Sequence, residues 1–198
     1  MSSKEPLILA STSPRRRQLL QEAGISFEPV PPGVDEALFD PEGLEPVFYA
    51  KMLATAKAES IASSFPYRLV AGADTIVDFK GKIIGKPADA EEAEKFTREL
   101  FSGPHEVITA VALIRRSRGI LMVSSETTRV FPRKLSEAQI AEHIRGGAWR
   151  GKAGAYAIQE NGDEFIEKIE GSFTNVIGMP MELFAKMMKE ISDAGGGD

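Results

Sequence analysis

Apolar positions along the chain fall into short runs and longer stripes of helical spacing, separated by Gly, Pro and Ser clusters. Leu7-Ile8-Leu9 reads as a buried strand, and Phe27 to Val30 as a second strand broken by Pro31-Pro32-Gly33. Pro46 to Ser63 predicts a helix whose apolar stripe is Val47, Ala50, Leu53, Ala54, Ala58 and Ile61. Leu69 to Phe79 is the strongest strand, turned by Lys80-Gly81-Lys82 toward Ile83-Ile84. Asp89 to Phe101 predicts an acidic amphipathic helix, and Glu106 to Ile114 with Ile120 to Phe131 a hairpin of two long strands. Ser136 and Gln139 form a capping box for a short helix to Arg145, which Gly146-Gly147 ends. Gly151 to Gln159 reads as a small-residue loop running into a strand, and Phe165 to Ile169 as another strand. A turn at Gly171-Ser172 leads through Phe173-Thr174-Asn175 to Gly178 and Pro180. A last helix then runs to about Ile191, with a Met- and Leu-rich face suited to core or dimer contacts.

Polar residues that interrupt this pattern are the candidates for chemistry. Ser13 is a good N-cap and Pro14 a natural first helical residue, with the helix stopping at Gly24. Arg15, Arg16 and Arg17 therefore fall in the first turn, where the positive end of the helix dipole makes each cation cost roughly 0.3–1 kcal/mol. Backbone N–H groups, dipole and guanidinium groups together suit an anion such as phosphate. The alternative is a solvated basic patch or pairing with distant carboxylates. Lys57 falls near the middle of the stripe of its helix, so it either snorkels out past the apolar surface or points inward to an anion. Asp74 is out of place in a strand, and a buried carboxylate is costly unless paired or bound to a cation. Strand alternation puts Gly72, Asp74, Ile76 and Asp78 on one face, with Gly72 leaving room for a close approach beside Asp74. Asp35-Glu36 is a carboxylate pair in a turn-rich loop, either solvated or holding a metal or substrate. Gly85-Lys86-Pro87 is a stiffened loop carrying a lysine, and Gly151 to Gln159 carries Lys152, Tyr156 and Gln159.

Composition narrows the classes. The 198 residues suffice for one large domain or two lobes, and a net charge of -5 argues against non-specific nucleic-acid binding, so any phosphate site must be a local basic pocket. The absence of cysteine excludes disulfides and thiolate chemistry and suggests an intracellular protein. No apolar stretch approaches the roughly 20 residues of a membrane span, and the N-terminus lacks a signal-type apolar region. Ala194 to Asp198 is expected to be a disordered tail after a single domain over 1–193. His105 and His143 are singletons and read as structural; Trp149 beside Arg150 could stack a base but more often packs locally. Neither a Walker A pattern nor a G-x-G-x-x-G following a strand occurs.

Taken together, the motifs resemble the Maf family of nucleoside triphosphate pyrophosphatases. The matching pieces are LILASTSPRRRQLL (7–20), Val34-Asp35-Glu36, ATAKA (54–58), GADTIV (72–77), Gly85-Lys86-Pro87, SGPHEVITAVAL (102–113), Lys152 to Gln159 and Gly178-Met179-Pro180. That resemblance implies a three-layer α/β fold: a long mixed β-sheet with helices on both sides and two lobes around a nucleotide cleft. It implies hydrolysis of a nucleoside triphosphate to the monophosphate and pyrophosphate with Mg²⁺ or Mn²⁺, usually in a cytoplasmic homodimer, with no nucleic-acid or membrane partner. Carried over residue by residue, Asp74 matches the general base, and Ser13, Arg15, Arg16, Lys57 and Lys86 the phosphate-binding set. Asp35, Glu36 and Asp74 match the metal site. Arg15, Thr75 and Gln159 match the positions that mark the dTTP/UTP branch, where the 7-methyl-GTP branch has Trp, Gln and Glu. A nucleotide-binding regulator of cell division without turnover is the second reading; the complete polar set, Asp74 included, favours an enzyme. RNA binding through the arginines is disfavoured by the acidic balance and the lack of interleaved aromatics.

Overall fold

The computed structural model describes residues 5–156 and 165–194. Its centre is a mixed seven-stranded sheet in the order β2-β1-β3-β5-β6-β7, with β4 paired to β3 off this path. The strands are β1 (Leu7–Ala10), β2 (Phe27–Val30), β3 (Val70–Phe79), β4 (Lys82–Ile84), β5 (His105–Arg115), β6 (Ile120–Pro132) and β7 (Ile166–Glu170). β2, β1 and β3 run parallel, whereas β5, β6, β7 and β4 are joined by antiparallel ladders. The helices are α1 (Pro14–Glu22), α2 (Pro46–Ala62), α3 (Ala90–Leu100), α4 (Glu137–Gly146), α5 (Phe173–Ile177) and α6 (Met181–Ala194). The predicted α/β class, long mixed sheet and flanking helices are therefore present. The segment after the Gly171-Ser172 turn, to which the sequence pattern assigns no element, forms the short helix α5, capped by Ser172, whose hydroxyl accepts from the Asn175 N–H. α6 reaches Ala194, one residue into the stretch expected to be a tail; residues 195–198 lie outside the described residues.

Each layer follows from the alternation of the strands. Ile8, Ala10, Val70, Ile76, Ile108, Ala110 and Ala112 face α2, whose Ala50, Leu53, Ala54, Ala58 and Ile61 cover them. Leu7, Leu9, Ala71, Ala73, Val111 and Leu113 face the other way, onto Leu19 and Leu20 of α1 and Phe184 and Met187 of α6. A second lobe forms where Val77, Phe79, Val107, Val130 and Ile166 pack against α3 and the segment containing Trp149, Ala155 and Tyr156. No helix among the described residues is long and apolar enough to cross a membrane.

Two local features place the site. The first is an interrupted sheet edge. β1 pairs with β3 only from Val70 to Gly72, and β4 pairs with the same edge only from Val77 to Phe79. Asp74 and Thr75 lie in the gap between, while β5 covers the opposite edge without a break. Because β1 is parallel and β4 antiparallel to β3, both approach the gap with their C-terminal ends. The chain leaves one as Ser11-Thr12-Ser13 and the other as Gly85-Lys86. The second feature is Gly72. A Cβ there would lie 2.3 Å from the Ala54 carbonyl oxygen and 2.6 Å from the Ala58 nitrogen. The close approach expected beside Asp74 is thus made by the α2 backbone, which carries Lys57 to the strand.

Candidate active site

Around the gap lies a cavity of roughly 470 Å³, walled by the β1–α1 loop, the first turn of α1, Glu36, Lys57, β3, Lys86, Arg150 to Ala153, Tyr156 and Val176 to Gly178. Six cationic side chains (Arg15, Arg16, Lys57, Lys86, Arg150 and Lys152) face it against two carboxylates, Glu36 and Asp74. In a chain of net charge -5 this is the local basic pocket that an anion requires.

At its floor is a chain of alternating charges. Lys57, 6% exposed, lies 2.5 Å from the Asp74 carboxylate and 2.7 Å from that of Glu36. Glu36 in turn receives Lys86 at 2.9 Å. Burial alone would raise the Glu36 pKa, but the hydrogen bonds and charges of Lys57 and Lys86 outweigh it and bring it down to about 2. Lys57 therefore points inward, as the helical spacing allowed. Its immediate partners are carboxylates.

The three arginines divide. Arg16 is pinned: its Nε donates to the Gly178 carbonyl at 2.8 Å and its Nη2 to Thr75 Oγ1 at 3.0 Å, with a longer contact to Ser11 Oγ. Burial lowers its pKa, partly offset by the charges of Asp74 and Glu36. Arg17 turns back to the Thr12 carbonyl at 2.8 Å and does not line the cavity. Arg15 lines the cavity and makes no hydrogen bond or ion pair among the described residues. Ser13 occupies the N-cap position, but its hydroxyl makes no capping bond; its N–H is held by Ser11 Oγ at 3.1 Å. Pro14 has no N–H, so the orphan donors of the first turn belong to Arg15 and Arg16.

Thr75 belongs to the opposite face of β3 from Asp74, yet both line one cavity because the sheet edge is open at this point. Its hydroxyl meets Thr109 Oγ1 at 2.9 Å, and Thr109 in turn donates to the Asn175 carbonyl. The Asn175 amide, fully buried, donates to the Val107 carbonyl and to Thr128 Oγ1, both at 2.9 Å. This polar column holds Thr75, and through it Arg16, from behind. Neither Thr109 nor Asn175 stands out in the sequence, because a buried Asn in a connecting segment gives no periodic signal.

Asp35 does not reach the cavity. Its carboxylate accepts from the Ala37 N–H at 3.1 Å and caps a single 3₁₀ turn, Glu36–Leu38, leaving Glu36 alone to enter the site. This corrects the expected metal pair: two adjacent residues in that turn cannot both face inward. Gln159 lies outside the described residues. Arg150 and Lys152 are cavity cations that the sequence analysis did not assign to phosphate. Trp149 is buried packing, with its indole N–H on the Ile144 carbonyl at 2.9 Å and Arg150 stacked over its ring. Both histidines brace the same loop: His143 bonds the Ala155 carbonyl at 2.8 Å, and buried His105 bonds the Tyr156 hydroxyl.

For a divalent cation the donor set is two hard carboxylates, Glu36 and Asp74, each already bonded to lysine. Among the described residues no group of three or more His, Cys, Asp or Glu is placed to hold a metal ion. That set fits Mg²⁺ or Mn²⁺ carried in by substrate oxygens, since Mg²⁺ is commonly held by one or two carboxylates plus phosphate. It does not fit a resident ion in a closed cage.

Fold and site together define an α/β protein with a cation-lined cleft and a buried carboxylate at its floor. The chain belongs to the family of Maf-like proteins, whose model matches residues 6–191. It is 42% identical over 184 residues to a dTTP/UTP pyrophosphatase of Pelotomaculum thermopropionicum, covering 93% of this chain and 95% of that one. It is 44% identical over 186 residues to a dTTP/UTP pyrophosphatase of Elusimicrobium minutum, covering 93% and 97%. A solved HAM1 protein from Coxiella burnetii aligns with TM-score 0.43 and 15% identity over 66% of this chain and 74% of that one, too slight a likeness to inform the fold.

Proposed function

We propose that this chain hydrolyses dTTP and UTP to the monophosphate and pyrophosphate, by attack of water on the α-phosphorus with Asp74 as the base. The observation that carries the reading is the Asp74 carboxylate, 5% exposed, set in the sheet gap among cations from four separate segments. The relatives named dTTP/UTP pyrophosphatase support the substrate, as do Arg15, Thr75 and Gln159, which stand where that branch has Arg, Thr and Gln.

A triphosphate repels an attacking nucleophile, so its charge must be neutralised and its geometry fixed before water can approach. Arg15, Lys57 and Lys86 meet the phosphate oxygens, and Arg16, pinned to Gly178 and Thr75, lends charge from a fixed position. Glu36 and Asp74 pair with the two lysines and hold them in place. When phosphate takes over those lysines, Asp74 is released to accept a proton from water, and Glu36 and Asp74 can together hold a divalent cation. Such a cation, when bound, supplies further neutralisation at the phosphate oxygens. The cysteine-free sequence supports a cytoplasmic location, and the exposed Leu38 and Phe48 support a homodimer.

The test is incubation with each nucleoside triphosphate and Mg²⁺ or Mn²⁺, reading pyrophosphate release. Asp74→Asn keeps nucleotide binding and loses about 10²–10⁴-fold in kcat. Binding of dTTP with no pyrophosphate from any triphosphate refutes the enzyme reading in favour of a non-catalytic nucleotide binder. Near-normal turnover in Asp74→Asn removes that residue from the mechanism.

A further inference from the structure

We propose that Lys152 and Arg15, one from each side of the cleft, form a second anion subsite that takes the terminal phosphates of the triphosphate and holds the pyrophosphate product. This deepens the proposed pyrophosphatase reading and rests on it for the identity of the anion.

The cavity's cations are unequally partnered. Lys57 and Lys86 are bonded to carboxylates, Arg16 to Gly178 and Thr75, and Arg150 is stacked on Trp149. The side chains of Arg15 and Lys152, alone of the six, make no hydrogen bond, ion pair or ring contact with the described residues. Both are half-buried. Two like charges partly withdrawn from water in one cavity, with no carboxylate bonded to either, make an arrangement that a bound anion relieves. Burial, and then the charge of Arg15, push the Lys152 pKa down; neither Asp74 nor Glu36 acts on it to offset this. Both side chains line the cavity, and neither is paired with Asp74 or Glu36. A phosphate chain whose α-phosphorus faces Asp74 extends its remaining oxygens toward these two cations.

The backbone that carries Lys152 is built to hold one position. The 3₁₀ turn Ala153–Ala155 follows it directly, and the Gly154 N–H donates to the Gly85 carbonyl at 3.0 Å. That bond ties the Lys152 loop to the loop bearing Lys86. Gly154, at φ +72°, is wedged between Leu100 and Val77, where a Cβ would come within 3.0 Å of both side chains. Ala155 adopts φ 62°, a left-handed conformation that costs an alanine roughly 1–2 kcal/mol. His143 holds its carbonyl at 2.8 Å. A strained, multiply anchored turn beside a cavity is explained if what it positions has a task, and the charged side chain it presents to the cavity is Lys152.

The experiment is calorimetric binding of inorganic pyrophosphate and, separately, of dTMP to the full chain and to Lys152→Gln and Lys152→Arg. Losing one charge-assisted contact predicts pyrophosphate affinity reduced roughly ten- to a hundredfold in Lys152→Gln, largely restored in Lys152→Arg, with dTMP affinity unchanged. In turnover, Lys152→Gln narrows the preference for dTTP over dTDP and weakens product inhibition by pyrophosphate. Unchanged pyrophosphate affinity overturns the subsite, and so does a loss that falls on dTMP instead. A wild-type chain that binds pyrophosphate through Lys152 yet hydrolyses no triphosphate overturns the enzymatic reading and leaves the subsite standing.

Discussion

The buried Lys57–Asp74 pair gives the sharpest quantitative expectation. Both residues are almost fully buried and 2.5 Å apart. Lys57→Met removes the cation and leaves a buried carboxylate without its partner, a change that costs about 3–5 kcal/mol. Against a total stability of roughly 5–15 kcal/mol that is a large share, and for a chain of this size it lowers Tm by about 6–20 °C. Asp74→Leu alone is milder, because Lys57 keeps Glu36 at 2.7 Å. The double variant Lys57→Met/Asp74→Leu places two apolar side chains in the same space, and such replacements of a buried pair are often neutral or stabilising. Urea unfolding of all four proteins closes the cycle, with fluorescence of the single, buried Trp149 as reporter. The expected coupling is at least 2 kcal/mol, about half the cost of the lysine substitution. The double variant is expected to keep its stability and lose pyrophosphate release, which separates a role of the pair in the proposed reaction from one in the fold. A double variant as unstable as Lys57→Met refutes this, because the loss would then lie in the packing of the lysine stem.

Gly72→Ala drives a methyl group onto two backbone atoms of α2, at 2.3 and 2.6 Å, so the helix must lift and stability falls by about 3 kcal/mol or more; a thermal melt within 2 °C of wild type contradicts it. Burial pushes the His105 ring down to about pKa 4 from the ordinary 6.5. The folded state therefore binds fewer protons than the unfolded chain between those values. Stability rises with pH across that window, is complete above 6.5, and drops on acidification by on the order of 3 kcal/mol. His105→Gln flattens that slope in denaturation curves taken from pH 4.5 to 7.5. Glu36, depressed to about 2, acts in a lower window: its contribution is full above the ordinary carboxylate value and is lost as pH falls toward 2. Glu36→Gln abolishes only that lower part of the acid profile.

Features fixed within one or two helical turns were legible in the sequence. The proline and three arginines of α1, the capping box of α4 and the apolar stripe of α2, apart from the exposed Val47, are set by neighbours along the chain. The same periodicity put Lys57 inside its stripe and so anticipated its burial, although its partners came only with the fold. What could not be read was any choice between adjacent residues. Arg15 and Arg16 differ by one helical step, yet one is bare and the other is held by Gly178 and Thr75. Asp35 and Glu36 are equivalent in composition, and the direction of a single 3₁₀ turn separates them. Lys152 could not be placed in the cavity from the sequence because its loop is positioned by a bond to Gly85 and by contacts with Leu100 and Val77, all distant in sequence.

Asp74 and Thr75 show why the sheet, and not any motif, defines the site. Consecutive residues of a strand point to opposite faces, so on an unbroken sheet they could not share a ligand. Here β1 stops at the level of Gly72 and β4 ends at that of Val77. A ligand entering between them meets side chains from both faces and the C-terminal ends of two strands at once. In open α/β sheets ligands gather at the carboxyl ends of strands where the connections diverge, and the antiparallel β4 adds a second such end, directed against the first. That geometry delivers Arg15 and Lys86 to opposite walls of one cavity although they are far apart in the chain. Lengthening β1 by continuing its pairing past Gly72 would close the gap and bury Asp74 behind a strand, eliminating the site without touching a single charged residue.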